Sequence, residues 1–278
     1  MRNFMQMLQK KHTEGKFVCV GLDSDYQKIP ESLKRLGVEE AIVKFNQAII
    51  NETGGIVCAY KPNIAFYEAY GNEGFSALQR TIRYIHRTCD VPVILDAKRA
   101  DIGNTNEGYV REIFDLLDAD AVTVHPYLGK EAIMPFLGRK DKGIFTLCLT
   151  SNPGAHEFQK LPVDGTGIIE PLYQYVARRV ANDWNKNGNC GLVVGATYPE
   201  ELQRVRMIVG DMPILIPGVG AQGGDVAKTV AAGKDSEGGG MIINSSRGII
   251  FASSGDDFAK AAWRETLKLH REIVRALG

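Results

Sequence analysis

Short apolar runs alternate with longer stretches of mixed polarity along nearly the whole chain. The apolar runs cover residues 17–22, 56–60, 93–95, 121–124, 144–149, 191–194, 214–216 and 241–243. They are continuously apolar, which is how strands buried on both faces read, as in a parallel sheet covered by helices. Between them apolar positions recur at helical spacing and predict helices over 38–51, 73–88, 106–117, 130–137, 169–187, 199–209, 225–232 and 258–277. Asn104 and Thr105 are placed to cap the third of these, and Pro199 suits a first helical turn. Eight strand–helix units without a break in composition predict one (β/α)8 TIM barrel domain over residues 1–278. The alternative is a doubly wound open sheet, which needs a reversal of strand order. Residues 151–167 exceed an ordinary connection and read as a lid. Residues 233–240 read as a flexible turn on the opposite barrel face.

Composition narrows the function more than the fold. The 278 residues carry 33 Lys plus Arg against 33 Asp plus Glu, so no global field draws nucleic acid or an anionic membrane. Any bound anion must be gripped by local groups. No apolar run nears the roughly 18 residues of a membrane span, and the first residues lack a secretory signal pattern. The expectation is a cytoplasmic protein. Of five cysteines, Cys19, Cys58 and Cys148 fall within apolar runs and none forms a CxxC pair, so they read as reduced core residues. His12, His86, His125, His156 and His270 are scattered, and His125, near the site, reads as structural.

The chemistry concentrates where the third apolar run meets Asp96, Lys98 and Asp101. Barrel enzymes build their sites at the C-terminal ends of strands. Strand alternation puts Asp96 and Lys98 on one face, toward the barrel mouth. Charges leaving an apolar strand must pair or serve a ligand, because an isolated buried charge is costly. A structural ion pair remains open on these residues alone. Further along, 217–225 and 244–248 are glycine-rich and follow the seventh and eighth strands, the second carrying Arg247. One such loop is commonly just a tight turn. Two at these strand ends, with an arginine able to grip two oxygens, predict a phosphate site.

The run VILDAKRADIGNT resembles the signature of the orotidine 5′-phosphate decarboxylase family, in its longer bacterial form (type 2). Asp96, Lys98 and Asp101 meet the family's Asp-x-Lys-x-x-Asp motif, with Ala100 departing from an expected glycine. Asp23 in GLDSD, Lys61 in AYKPN, Ser151 in LTSNPGA, Gly218, Gly220 and Gln222 in IPGVGAQGGD, and Ser246 and Arg247 in SSRGI follow in family order. The resemblance implies decarboxylation of orotidine 5′-monophosphate to uridine 5′-monophosphate and CO2, with no cofactor and no metal. It makes Lys98 the proton donor, Asp96 the neighbour of the leaving carboxylate, and Lys61 and Asp23 ribose contacts. Ser151 would approach the pyrimidine amide, and Gln222 and Arg247, with Gly218, Gly220 and Ser246, would hold phosphate. Asp101 and Thr105 would reach into the partner's site, implying a homodimer with shared sites.

The residues fit that chemistry. A carbanion at C6 lies in the ring plane, and the chain shows no covalent electron sink, so stabilisation falls to a fixed cation, here Lys98 between two carboxylates. Phosphate grip could close segments 151–167 and 221–224 over the substrate. Competing readings stay open for single residues: Asp101 as a helix N-terminal charge, Lys61 as a surface lysine, Asp23 as a turn residue. For the whole chain the rivals are three. They are a metal-dependent sugar-phosphate decarboxylase or hexulose-phosphate synthase, a Schiff-base aldolase through Lys98, and a non-catalytic phosphate binder.

Overall fold

The computed structural model describes residues 2–165, 167–219 and 224–278. The eight apolar runs form the strands β1 Val18–Gly21, β2 Val57–Lys61, β3 Ile94–Arg99, β4 Ala121–Val124, β5 Gly143–Leu149, β6 Cys190–Val194, β7 Ile214–Pro217 and β8 Met241–Ser245. They make one sheet in the order β2-β1-β8-β7-β6-β5-β4-β3, with every neighbouring pair parallel. That order is the chain order read around a ring, so no strand reversal occurs and the open-sheet alternative fails. The ring closes between β2 and β3 through isolated bridges, Tyr60 to Val93 and Asn63 to Asp96, instead of a full ladder. Backbone bonds from Tyr60 to Pro92 (3.0 Å), Asp96 to Pro62 (2.9 Å) and Ile64 to Asp96 (3.3 Å) stitch this seam.

Inside the ring, Cys19, Cys58, Ala59, Ile94, Ala121, Phe145, Val193, Leu215 and Ile242 form one apolar cluster. Phe4 and Leu8 complete it from below. They belong to a helix the hydrophobic pattern did not predict, α1 Phe4–Thr13, capped by Asn3 accepting from the Gln6 amide. Its buried residues Phe4, Leu8 and Lys11 recur at helical spacing and plug the N-terminal mouth. The Phe4 ring packs edge-on against Phe145 at 5.5 Å, and Gly143 leaves it room, since a Cβ there would overlap the ring. The 233–240 turn lies at this end, lining a cavity with Met5, Leu8 and His12, as expected.

Outside, helices α2 Val38–Thr53, α3 Gly71–Thr88, α4 Gly103–Val110, α5 Gly129–Leu137, α6 Leu172–Arg179, α7 Pro199–Val209, α8 Val226–Gly233 and α9 Phe258–Leu277 cover the ring. Their inward residues, such as Ile42, Phe45 and Ile49 of α2, join the strands' outer faces in a second, larger cluster. Two predicted boundaries need correction. Helix α4 begins at Gly103 with no side-chain cap, so Asn104 and Thr105 lie within its first turn. Residues 169–171 are not helical: Ile169–Pro171 pairs antiparallel with Pro162–Asp164. The lid candidate, 151–167, therefore contains a turn, Pro153–Glu157, and the first strand of a hairpin whose second strand lies just beyond it. All five cysteines are free thiols, and no helix among the described residues is long and apolar enough to cross a membrane.

Candidate active site

The plug below and the strand ends above leave the C-terminal mouth as the place for polar chemistry. Asp96 stands at its centre. Its Oδ1 accepts from the Lys98 ammonium at 2.7 Å and from the Thr123 hydroxyl at 2.9 Å, and its Oδ2 accepts from the Lys61 ammonium at 3.0 Å. Burial alone would raise the Asp96 carboxyl, but the ammonium groups of Lys61 and Lys98 outweigh it and hold the acid far below the usual carboxylate range. Lys61 is buried, only 3% exposed, so the surface-lysine reading fails. Burial would lower its ammonium, yet Asp23 and Asp96 together drive it above the ordinary lysine value.

Lys98 reaches Asp96 by a route that alternation did not predict. Its φ is +48°, in the left-handed region that non-glycine residues rarely adopt. In the ladder with β4, Leu95 pairs with Val122 and Arg99 with Val124, and the register shifts between them. Asp96, Ala97 and Lys98 therefore bulge opposite the single residue Thr123. The expected second acidic neighbour is absent from this contact. Asp101 lies beyond the strand, its amide donating to Asn106 Oδ1 at 2.8 Å and its carboxylate accepting from the Ile102 amide at 2.7 Å. Asn106 also donates to the Asp101 and Ala132 carbonyls, which fixes the turn away from Lys98. Thr105 is exposed on α4. Within this chain the structure brings neither Asp101 nor Thr105 to the cluster.

Asp23 lies 3.7 Å from the Lys61 ammonium, and its Oδ1 is buried without a hydrogen-bond partner among the described residues. A buried network supports it from behind. Ser24 donates to Asn46 (2.6 Å), Asn46 donates to Tyr67 and Thr81 (both 3.0 Å), and Tyr67 donates to the Leu22 carbonyl (2.9 Å). Both neighbours of Asp23 are thereby pinned.

Two cavities meet at the charge cluster. One, about 360 Å³, is lined by Asp23, Lys61 and Asp96 and by Gly218, Ser246 and Arg247. The other, about 430 Å³, shares Lys61 and Asp96 and adds Lys98, Thr123 and Ser151 against the apolar wall of Leu147, Val193 and Leu215. Gly21 makes room for Ser246, whose hydroxyl a Cβ at that position would overlap. Arg247 is exposed at the start of a short helix, Arg247–Ile250. Gly220 and Gln222, like most of segment 221–224, lie outside the described residues. Sequence reasoning missed Thr123 and Lys28, which also lines the first cavity. The available signal was a hydroxyl interrupting the apolar run AVTV and a lysine just past Asp23.

Comparison with known proteins agrees with this arrangement. A family model described as orotidine 5′-phosphate decarboxylase / HUMPS family matches residues 16–262. An orotidine 5′-phosphate decarboxylase of Cellvibrio japonicus is 51% identical over 257 residues, covering 92% of each chain. Among solved structures, the OMP decarboxylase of Leishmania donovani superposes with a TM-score of 0.81 at 37% identity, covering 97% of this chain and 99% of that one. The UMP synthase of the same organism gives 0.84 at 38% identity, and there this chain, 97% covered, spans only 57% of the larger protein. With its barrel, its charge cluster and its relatives in agreement, the chain belongs to the orotidine 5′-phosphate decarboxylase / HUMPS family.

Proposed function

We propose that this chain is a carboxy-lyase that converts orotidine 5′-monophosphate to uridine 5′-monophosphate and CO2, the last step of de novo pyrimidine nucleotide synthesis. One observation carries the reading. A largely buried carboxylate held by two ammonium groups stands where an apolar-walled cavity joins one lined by Arg247 and Ser246. The pyrimidine ring enters the apolar-walled cavity beside Lys98 and Ser151, and the phosphate enters the one lined by Ser246 and Arg247. Asp23, with its open buried oxygen, accepts from the ribose, and Ser151 meets the pyrimidine amide. Gln222 and the backbone at Gly218 and Gly220 complete the phosphate grip.

In this pose the substrate carboxylate lies beside Asp96. The C6–carboxylate bond breaks, CO2 departs neutral, and the electron pair stays on C6. Lys98, already charged and fixed, stabilises that pair and then gives C6 its proton. Lys98, left as a neutral amine, regains its proton from solvent, so each turnover consumes one proton. Asp101 and Thr105, turned away from their own cluster, serve the site of a second copy in a homodimer. The single barrel domain works in the cytoplasm, with segments 151–167 and 221–224 closing over bound substrate.

The metal-dependent alternative meets a buried ammonium, Lys61, between Asp23 and Asp96, where a divalent cation would need its ligands. A Schiff-base role for Lys98 meets the 2.7 Å bond that commits its ammonium to Asp96. The test is an absorbance assay of orotidine 5′-monophosphate consumption in the presence of EDTA. Wild type should turn over, and Lys98→Ala should lose at least about 10³-fold in kcat, the scale expected on removing a preorganised charge. An inactive wild type, or a mutant as fast as wild type, would overturn the proposal.

A further inference from the structure

We infer that Thr123 is a positioning residue for the decarboxylation, holding Lys98 in the backbone conformation that delivers its ammonium to the reacting carbon. This rests on the function proposed above. Three residues of β3, Asp96 to Lys98, lie opposite Thr123 alone on β4; the Asp96 amide donates to Pro62 across the seam, but a regular ladder cannot satisfy the amides of Ala97 and Lys98. The Thr123 hydroxyl does so instead. Its oxygen accepts from the Ala97 amide at 3.1 Å and the Lys98 amide at 3.0 Å. With both lone pairs engaged, its one proton goes to Asp96 Oδ1 at 2.9 Å. One oxygen thus fixes the bulge, keeps Lys98 at its φ of +48° and orients the carboxylate that Lys98 contacts.

The pattern explains why a hydroxyl interrupts an otherwise apolar strand. Thr123 is 1% exposed, and valine would match its shape while offering neither acceptor nor proton. Two partly buried amides would lose their partner, and the bulge would relax toward regular strand, carrying Lys98 away from the cavity. Thr123 borders the cavity proposed for the pyrimidine, but valine keeps its shape there and the proposed phosphate and ribose contacts sit at the ends of β1, β2, β7 and β8, so ground-state nucleotide binding should be spared. That separates a positioning role from general damage.

The experiment measures kcat and KM for orotidine 5′-monophosphate and Kd for uridine 5′-monophosphate with the full chain as wild type, Thr123→Val and Thr123→Ser. Thr123→Val should lower kcat by about 30-fold or more with product Kd within about twofold, while Thr123→Ser stays within about threefold of wild type in kcat. If Thr123→Val keeps wild-type kcat, or Thr123→Ser falls as far, the inference is overturned. Should the valine variant not fold, Thr123→Cys replaces it, since a thiol is a weaker partner of similar shape. It should lose about tenfold in kcat with product affinity unchanged, and turnover equal to the serine variant would refute the role. A wild type that releases no CO2 would instead overturn the parent function, leaving the two failures distinct.

Discussion

At the residue scale, Asp96 organises the site by accepting three hydrogen bonds from groups on three different strands. Its charge is stabilised mainly by the cations of Lys61 and Lys98, so removing one cation should be visible in titration as well as in rate. Lys61→Met leaves Asp23 and Asp96 facing each other without their shared ammonium. A carboxylate held low is ionised down to low pH; weaken the cation and it protonates at higher pH. The acid limb of kcat/KM should therefore move upward in pH for Lys61→Met, with kcat down by about 10²-fold or more at neutral pH. An acid limb that stays in place would show that Lys61 does not hold Asp96 in its charged form. Much of this cluster was legible beforehand, because Asp96 and Lys98 end an apolar strand and Lys61 ends another. What strand alternation could not supply was the left-handed Lys98, since a bulge is set by the partner strand and not by the residues within it.

At the element scale, strands were easier to read than helix starts. Continuous apolar runs have few alternatives in a parallel barrel, whereas 169–171 carry residues suited to either state and become strand only because 162–164 lie opposite. Helix α1 went unread because its apolar stripe is narrow, with mainly Phe4 and Leu8 turned inward. Yet α1 carries the clearest pH dependence of stability. Burial pushes the His12 imidazole down from 6.5 to about 4, with the nearby Asp235 opposing this and Arg206 reinforcing it. The folded state then binds fewer protons than the unfolded chain between these values. This stabilisation is fully present above pH 6.5 and is lost as pH falls toward 4, a change of about 3 kcal/mol. Urea unfolding across that window should show the slope, and His12→Phe should reduce it, leaving the part due to His270, whose imidazole burial also lowers from 6.5. Asp120, buried and held at about 2 against that burial by His86 and Arg2, acts only below its ordinary 3.8 and so does not overlap. An unchanged slope in the variant would remove His12 as the source.

At the scale of the whole molecule, the fold turns Asp101 and Thr105 away from the cluster that the same motif supplies. If two copies share their sites, mixing Lys98→Ala with Asp101→Ala protein should restore part of the lost turnover, because one of the two sites in a mixed dimer carries neither substitution. Mixtures no more active than either parent would count against sharing. The remaining consequence comes from the seam between β2 and β3. Lys61 lies on one side of it and Asp96 on the other, so the 3.0 Å ion pair spans the joint that lacks a full backbone ladder. The reaction centre is thus also the clasp of the hoop. A lineage abandoning this chemistry could not simply discard its charges; it would first have to fasten the ring some other way.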